Sequence, residues 1–122
     1  ILSYQALVRR VPAAPYMVDY AVALARASRP DDESAPDFVR DFVEWGAGPR
    51  ASQYLILGAR ARALLHGRYA ASVQDVRELV KPVLRHRIIV NFRGQAEGID
   101  SETLVQKLLD SVQPPAEATE AA

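Results

Sequence analysis

The chain has no cysteine, which excludes disulfides and cysteine-ligated metals and is compatible with a reducing compartment. Its two histidines, His66 and His86, lie twenty residues apart on different predicted elements and are expected to be structural, not catalytic or metal-binding. No apolar stretch approaches the roughly 18–20 residues of a membrane span, and no signal-peptide pattern opens the sequence. A soluble, cytoplasmic domain without membrane contact is therefore expected. The chain also lacks a Gly-x-x-x-x-Gly-Lys-Ser/Thr phosphate loop, a Gly-x-Gly-x-x-Gly turn, a His-Glu-x-x-His zinc pair and a serine-nucleophile motif. By itself it is not expected to be an enzyme.

The 122 residues, 49% hydrophobic, suit one domain with one core over residues 1–113. The start at Ile1 without a methionine points to a piece of a longer polypeptide. The zero net charge hides a segregation. Residues 1–30 carry four basic and one acidic side chain, 31–49 one and six, 50–93 nine and two, and 94–122 one and six. Alternating blocks of this kind pair within a domain or with neighbouring subunits, and a basic block between acidic ones is a weak nucleic-acid footprint.

Helical periodicity dominates. Pro15 suits a first helical position, and Met17, Tyr20, Ala21 and Leu24 then share a face to about residue 28. Arg26 and Arg29 favour the negative end of that helix, and Pro30 stops it. Ser34, three before Asp37, has the spacing of a capping box, so a short helix with Phe38, Val39, Phe42, Val43 and Trp45 as its apolar side is expected up to Gly46. The next helix runs from Pro49 to about His66, with Ala51, Tyr54, Leu55, Gly58, Ala61, Leu64 and Leu65 as the buried stripe. Its small residues permit close approach of a neighbour and mark it as central. A second capping box, Ser72 and Asp75, opens a fourth helix that Pro82 should kink or break. Ile88 to Val90 could extend, but a strand there has no evident partner, so a helical or coil ending is expected. Asp100 or Ser101 caps a last helix carrying Leu104, Val105, Leu108, Leu109 and Val112. The tail, residues 114–122, reads as disordered. The expected fold is all-α, a compact bundle of four to five helices.

One charge is out of place. Residues Gly46 to Arg50, Gly-Ala-Gly-Pro-Arg, lead into the central helix and put a cation in its first turn. A helix N-terminus carries about +0.5 of an elementary charge, so this costs about 0.3–1 kcal/mol unless an anion sits nearby. Arg50 either points into water or helps hold an anion, such as a phosphate that also meets free N–H groups.

The stretch from Gly46 to Ala63 resembles the sensor-2 helix of MoxR-type AAA+ ATPases. The similarity continues through His66-Gly67-Arg68-Tyr69, Ser72 to Val76 and Pro82 to Ile88, and reaches back to Asp19-Tyr20 and Arg26 to Pro30. It covers roughly residues 5–112. The resemblance implies a helical C-terminal lid, with Walker motifs before Ile1 in a nucleotide-binding domain that holds ATP and Mg. It implies that Arg50 is the sensor-2 arginine, flanked by Pro49 and Ala51, reaching the γ-phosphate and coupling lid position to nucleotide state. Tyr16, Met17 and Tyr20 would lie near the adenine by the same analogy, although core packing explains them equally well. The family usually has serine where Gly48 stands, and glycine at an N-cap costs only a few tenths of a kcal/mol. A hexameric, chaperone-like ATPase, often working with a partner containing a von Willebrand A domain, is the biology implied.

Two other classes compete. A stand-alone helical binding module could use the basic stretch 50–93, with Arg85, His86 and Arg87 as nucleic-acid contacts, though the acidic flanks disfavour it. A purely structural oligomerisation domain is the third.

Overall fold

A computed structural model describes residues 12–113; the expected disordered tail lies outside the described residues. Six helices and a two-stranded ribbon make up these residues, in the order α1 (Pro15–Ala27), α2 (Asp37–Phe42), β1 (Val43–Trp45), α3 (Pro49–Leu65), α4 (Val73–Leu84), β2 (Ile89–Val90), α5 (Phe92–Ala96) and α6 (Ser101–Ser111). The all-α expectation holds. The helix count rises because α5 closes one turn on an Asn91 cap whose side chain accepts from the Gly94 N–H at 2.8 Å.

Helix α3 packs against both α1 and α4, and α6 closes the far side of α4. Met17, Tyr20 and Leu24 of α1, Leu55 of α3, Val76, Val80 and Leu84 of α4, and Leu104, Val105 and Leu108 of α6 are fully buried. Each large aliphatic side chain contributes about 1.5–3 kcal/mol by leaving water. The buried line of α3 is Ala51, Leu55, Ala59 and Ala63, a ridge at steps of four whose small side chains let the neighbours approach. This corrects the expected stripe, since Tyr54 is 42% and Leu65 74% exposed. Alanine and arginine surround this helix, so periodicity did not separate two adjacent faces. Gly58 does face the bundle, where a Cβ would collide with Leu79.

The capping box at α4 forms as expected, with the Asp75 N–H donating to Ser72 Oγ at 3.3 Å and the Ser72 N–H to Asp75 Oδ2 at 2.8 Å. Asp100 caps α6. Pro82 lies inside α4, which continues to Leu84. The capping box expected at Ser34 does not form. Pro36 takes the N-cap position of α2 without a side-chain bond, because Asp32 draws both the Ser34 N–H (2.9 Å) and hydroxyl (2.7 Å) into its own turn.

The expected coil at Ile88 to Val90 is also corrected. Val43–Trp45 leaves the predicted helix, and Val43 pairs with Val90 and Trp45 with Ile89, antiparallel, with a bulge between Val43 and Trp45. β-Branched residues at three of these positions favour extended backbone, and the Asn91 N–H extends the pairing to the Phe42 carbonyl at 2.8 Å.

Candidate functional site

The loop between β1 and α3 is held by the end of α1. Gly46 lies so close to the Ser28 carbonyl that a Cβ could not be accommodated. The Ala47 N–H donates to Ser28 Oγ at 2.9 Å, that hydroxyl donates to the Ala25 carbonyl at 2.6 Å, and Arg29 Nε donates to the Ala47 carbonyl at 2.7 Å. Ser28 and Ala47 are both fully buried, where such bonds cannot be replaced by water. Arg29, which the sequence explains by the helix dipole alone, is thus a brace for this loop; no local signal marks its partner 18 positions away.

From this anchorage Gly48 supplies the extended N-cap and Pro49 the first position of α3. Pro49 lacks the N–H that would be unpaired there, and its fixed φ suits the helix. Arg50 then stands in the first turn, exposed, with no ion pair or hydrogen bond among the described residues. The open hollow it faces is about 540 Å³ and is lined by Gly48, Pro49, Arg50, Ala51, Tyr54 and Arg87. Two cations and no carboxylate line it. On the other side of Gly48 and Pro49 lies a hollow of about 500 Å³ whose lining includes Arg29, Asp31 and Glu44. With two carboxylates to one arginine, the second hollow suits a phosphate less well than the first, which has two arginines and no carboxylate.

Arg50, Pro49 and Ala51 therefore come together, while Tyr16 and Tyr20 do not line the same hollow. Tyr16 is half-buried against the core. Tyr20 is 0% exposed, its hydroxyl accepting from Arg77 Nη1 at 2.8 Å. Burial raises its pKa against the opposing influence of Arg77. Tyr20 offers no surface to an adenine here, and packing accounts for it.

Much of the basic stretch is paired. Arg62 and Arg68 both bind the buried carboxylate of Asp75, the former at 2.7 Å. Arg85 reaches Glu102 at 3.4 Å, and Arg93 reaches Glu97 at 3.3 Å and Asp41 at 4.0 Å. The partners of Arg85 and Arg93 belong to the acidic blocks, as the charge pattern anticipates, so the cluster Arg85, His86 and Arg87 does not present one continuous cationic face. Arg87 was not singled out from it by sequence; it enters the hollow through the turn after α4, with Nη1 donating to the Val83 carbonyl at 2.8 Å.

The described helices include none long and apolar enough to cross a membrane. Residues 37–108 match the model of the AAA lid domain. The chain is 36% identical over 99 residues to the chaperone MoxR1 of Mycobacterium tuberculosis, covering 81% of this chain and 26% of that protein. It is 42% identical over 69 residues to the protein MoxR of Paracoccus denitrificans, covering 57% of this chain and 20% of the relative. It thus spans about a quarter or less of the curated relatives it matches. A crystal structure of a candidate ATPase from Cytophaga hutchinsonii superposes with a TM-score of 0.83 at 27% identity, over 89% of this chain and 33% of that one. With the anchored loop, the bundle and these matches in agreement, the chain belongs to the AAA lid domain family and is a lid of the MoxR type.

Proposed function

We propose that this lid senses ATP through Arg50 and couples the nucleotide's state to movement of the domain. The observation that carries the reading is the placement of Arg50 in the first turn of α3. It has no ion-pair partner among the described residues and faces a hollow without a carboxylate. A cation is kept at the positive end of a helix at a cost unless an anion compensates it. The residues present fit a phosphate, because a guanidinium donates paired N–H bonds to its oxygens and the N–H groups of the first turn add to them.

ATP, when bound, supplies a γ-phosphoryl group whose charge redistributes during transfer. Arg50 would hold that charge from the lid side, and Pro49 and Ala51 would set its position on the helix. ATP and Mg would be held mainly by a nucleotide-binding domain elsewhere in the polypeptide, and hydrolysis would belong to the two domains together. An oligomeric ring, probed by contacts between the lid and its neighbours, is part of the same reading and is supported by membership of the AAA family. Cytoplasmic location rests on the sequence pattern, and a partner with a von Willebrand A domain rests on the family resemblance alone.

The test is Arg50→Ala in the intact ATPase. Turnover should fall by about tenfold or more, equivalent to about 1.4 kcal/mol of lost transition-state stabilisation, with the helical signal of the lid unchanged. Turnover equal to wild type refutes the sensing role.

A further inference from the structure

We infer that Arg87 is a second phosphate-binding arginine, acting with Arg50 on the terminal phosphate of a nucleoside triphosphate. This rests on the reading of Arg50 as the ATP sensor and adds a residue from a different part of the chain to the same site.

Arg87 differs from the other arginines around it. Arg85 is engaged by Glu102 and Arg93 by Glu97 and Asp41, whereas Arg87 has no acidic partner among the described residues. Its guanidinium carbon lies 4.8 Å from the centroid of the Tyr54 ring, and Nη1 donates to the Val83 carbonyl at 2.8 Å. Stacking and one hydrogen bond fix the plane of the group. Four of its five N–H donors are left for a ligand. Tyr54 follows Arg50 by four residues and so shares its face of α3. The tyrosine therefore holds Arg87 on the side where Arg50 emerges, and both cations line one hollow.

Two like charges converging on a hollow repel each other unless a ligand of matching charge enters. A terminal phosphate carries about −1.5 to −2 near neutral pH, which two guanidiniums match and one does not. A carboxylate, with a single negative charge, would leave one arginine uncompensated. A diphosphate ends at its β-phosphate and lacks the γ group that the Arg50 reading places in this hollow, so the second arginine should matter for the triphosphate and not for the diphosphate.

Equilibrium titrations of the intact ATPase with MgATPγS and with MgADP test this, on wild type, Arg50→Ala, Arg87→Ala, Arg87→Lys and Tyr54→Leu. Arg87→Ala should weaken MgATPγS by about tenfold while MgADP changes by less than about twofold. Arg87→Lys, which keeps the charge but loses the planar fork, should fall between Arg87→Ala and wild type, as should Tyr54→Leu. Equal loss for both nucleotides would make Arg87 a structural residue and overturn the inference. So would wild-type affinities in Arg87→Ala with MgATPγS binding lost in Arg50→Ala, an outcome that leaves the sensor reading intact. Unchanged MgATPγS binding and turnover in Arg50→Ala would instead refute that underlying reading.

Discussion

Replacing Asp75 by asparagine should cost the lid about 2–3 kcal/mol at neutral pH. The carboxylate is fully buried. It accepts from Arg62 Nη1 at 2.7 Å, from both terminal nitrogens of Arg68, one of them at 2.8 Å, and from the Ser72 N–H at 2.8 Å. Burial pushes its pKa up, but the bonds from Arg68, from the Ser72 backbone and from Arg62 outweigh it and hold the carboxyl at about 2, against an ordinary 3.8. At about 1.4 kcal/mol per unit, that difference is worth about 2 kcal/mol. Asparagine keeps the shape and can still accept from Ser72, so the cap survives and the loss is that of the charge. Breaking a wholly buried ion pair costs about 3–5 kcal/mol, but Arg68 is 40% exposed and can turn to water, which lowers the figure. Urea denaturation of wild type and Asp75→Asn, followed by far-UV circular dichroism, measures the gap. The pH dependence carries a sign. The folded carboxyl titrates below the unfolded one, so its stabilisation is complete above pH 3.8 and is lost as pH falls through about 2. The wild-type advantage should shrink over that window. A loss below about 0.5 kcal/mol at neutral pH, the range of an ordinary surface substitution, would refute the account of Asp75 as the charge that joins α3, α4 and their connecting turn.

Two further outcomes follow from the loop and the ribbon. Gly46→Ala should destabilise by about 1–3 kcal/mol, because its Cβ meets the Ser28 carbonyl. Gly48→Ser, with open space around the Cβ, should change stability by no more than a few tenths of a kcal/mol; equal thermal denaturation midpoints for the two variants would contradict the geometry. Trp45, the sole tryptophan and 65% exposed on β1, should emit like a solvent-exposed indole and be quenched readily by acrylamide. A blue-shifted, protected emission would place β1 elsewhere.

Features encoded within a few residues were legible. Pro15 opens α1, Ser72 and Asp75 box α4, and Asp100 caps α6, because in each the signal and the group it satisfies lie within one turn. The same short-range logic misread Ser34, where the nearer carboxylate of Asp32 competed successfully for the hydroxyl. Burial on α3 needed the positions of α1 and α4, which a helix rich in alanine on all sides does not announce. Arg50 was legible as a charge against the dipole, and its neighbours Pro49 and Ala51 came with it by adjacency. Its support from Ser28 and Arg29, and the entry of Arg87 into the hollow, were not, since these contacts join residues well separated along the chain.

The ribbon also constrains the order in which this fold can assemble. Val43 and Val90 are Cα partners, so pairing them closes a loop of roughly 45 residues, at an entropic cost of about 3 kcal/mol plus a constant. A five-residue ribbon gains too little to meet that alone, since even an isolated hairpin is marginal in water. Packing of α3 on α4 shortens the effective loop before the strands meet. On this reckoning the ribbon is expected to close as a latch on a preformed helical hairpin and not to seed the domain.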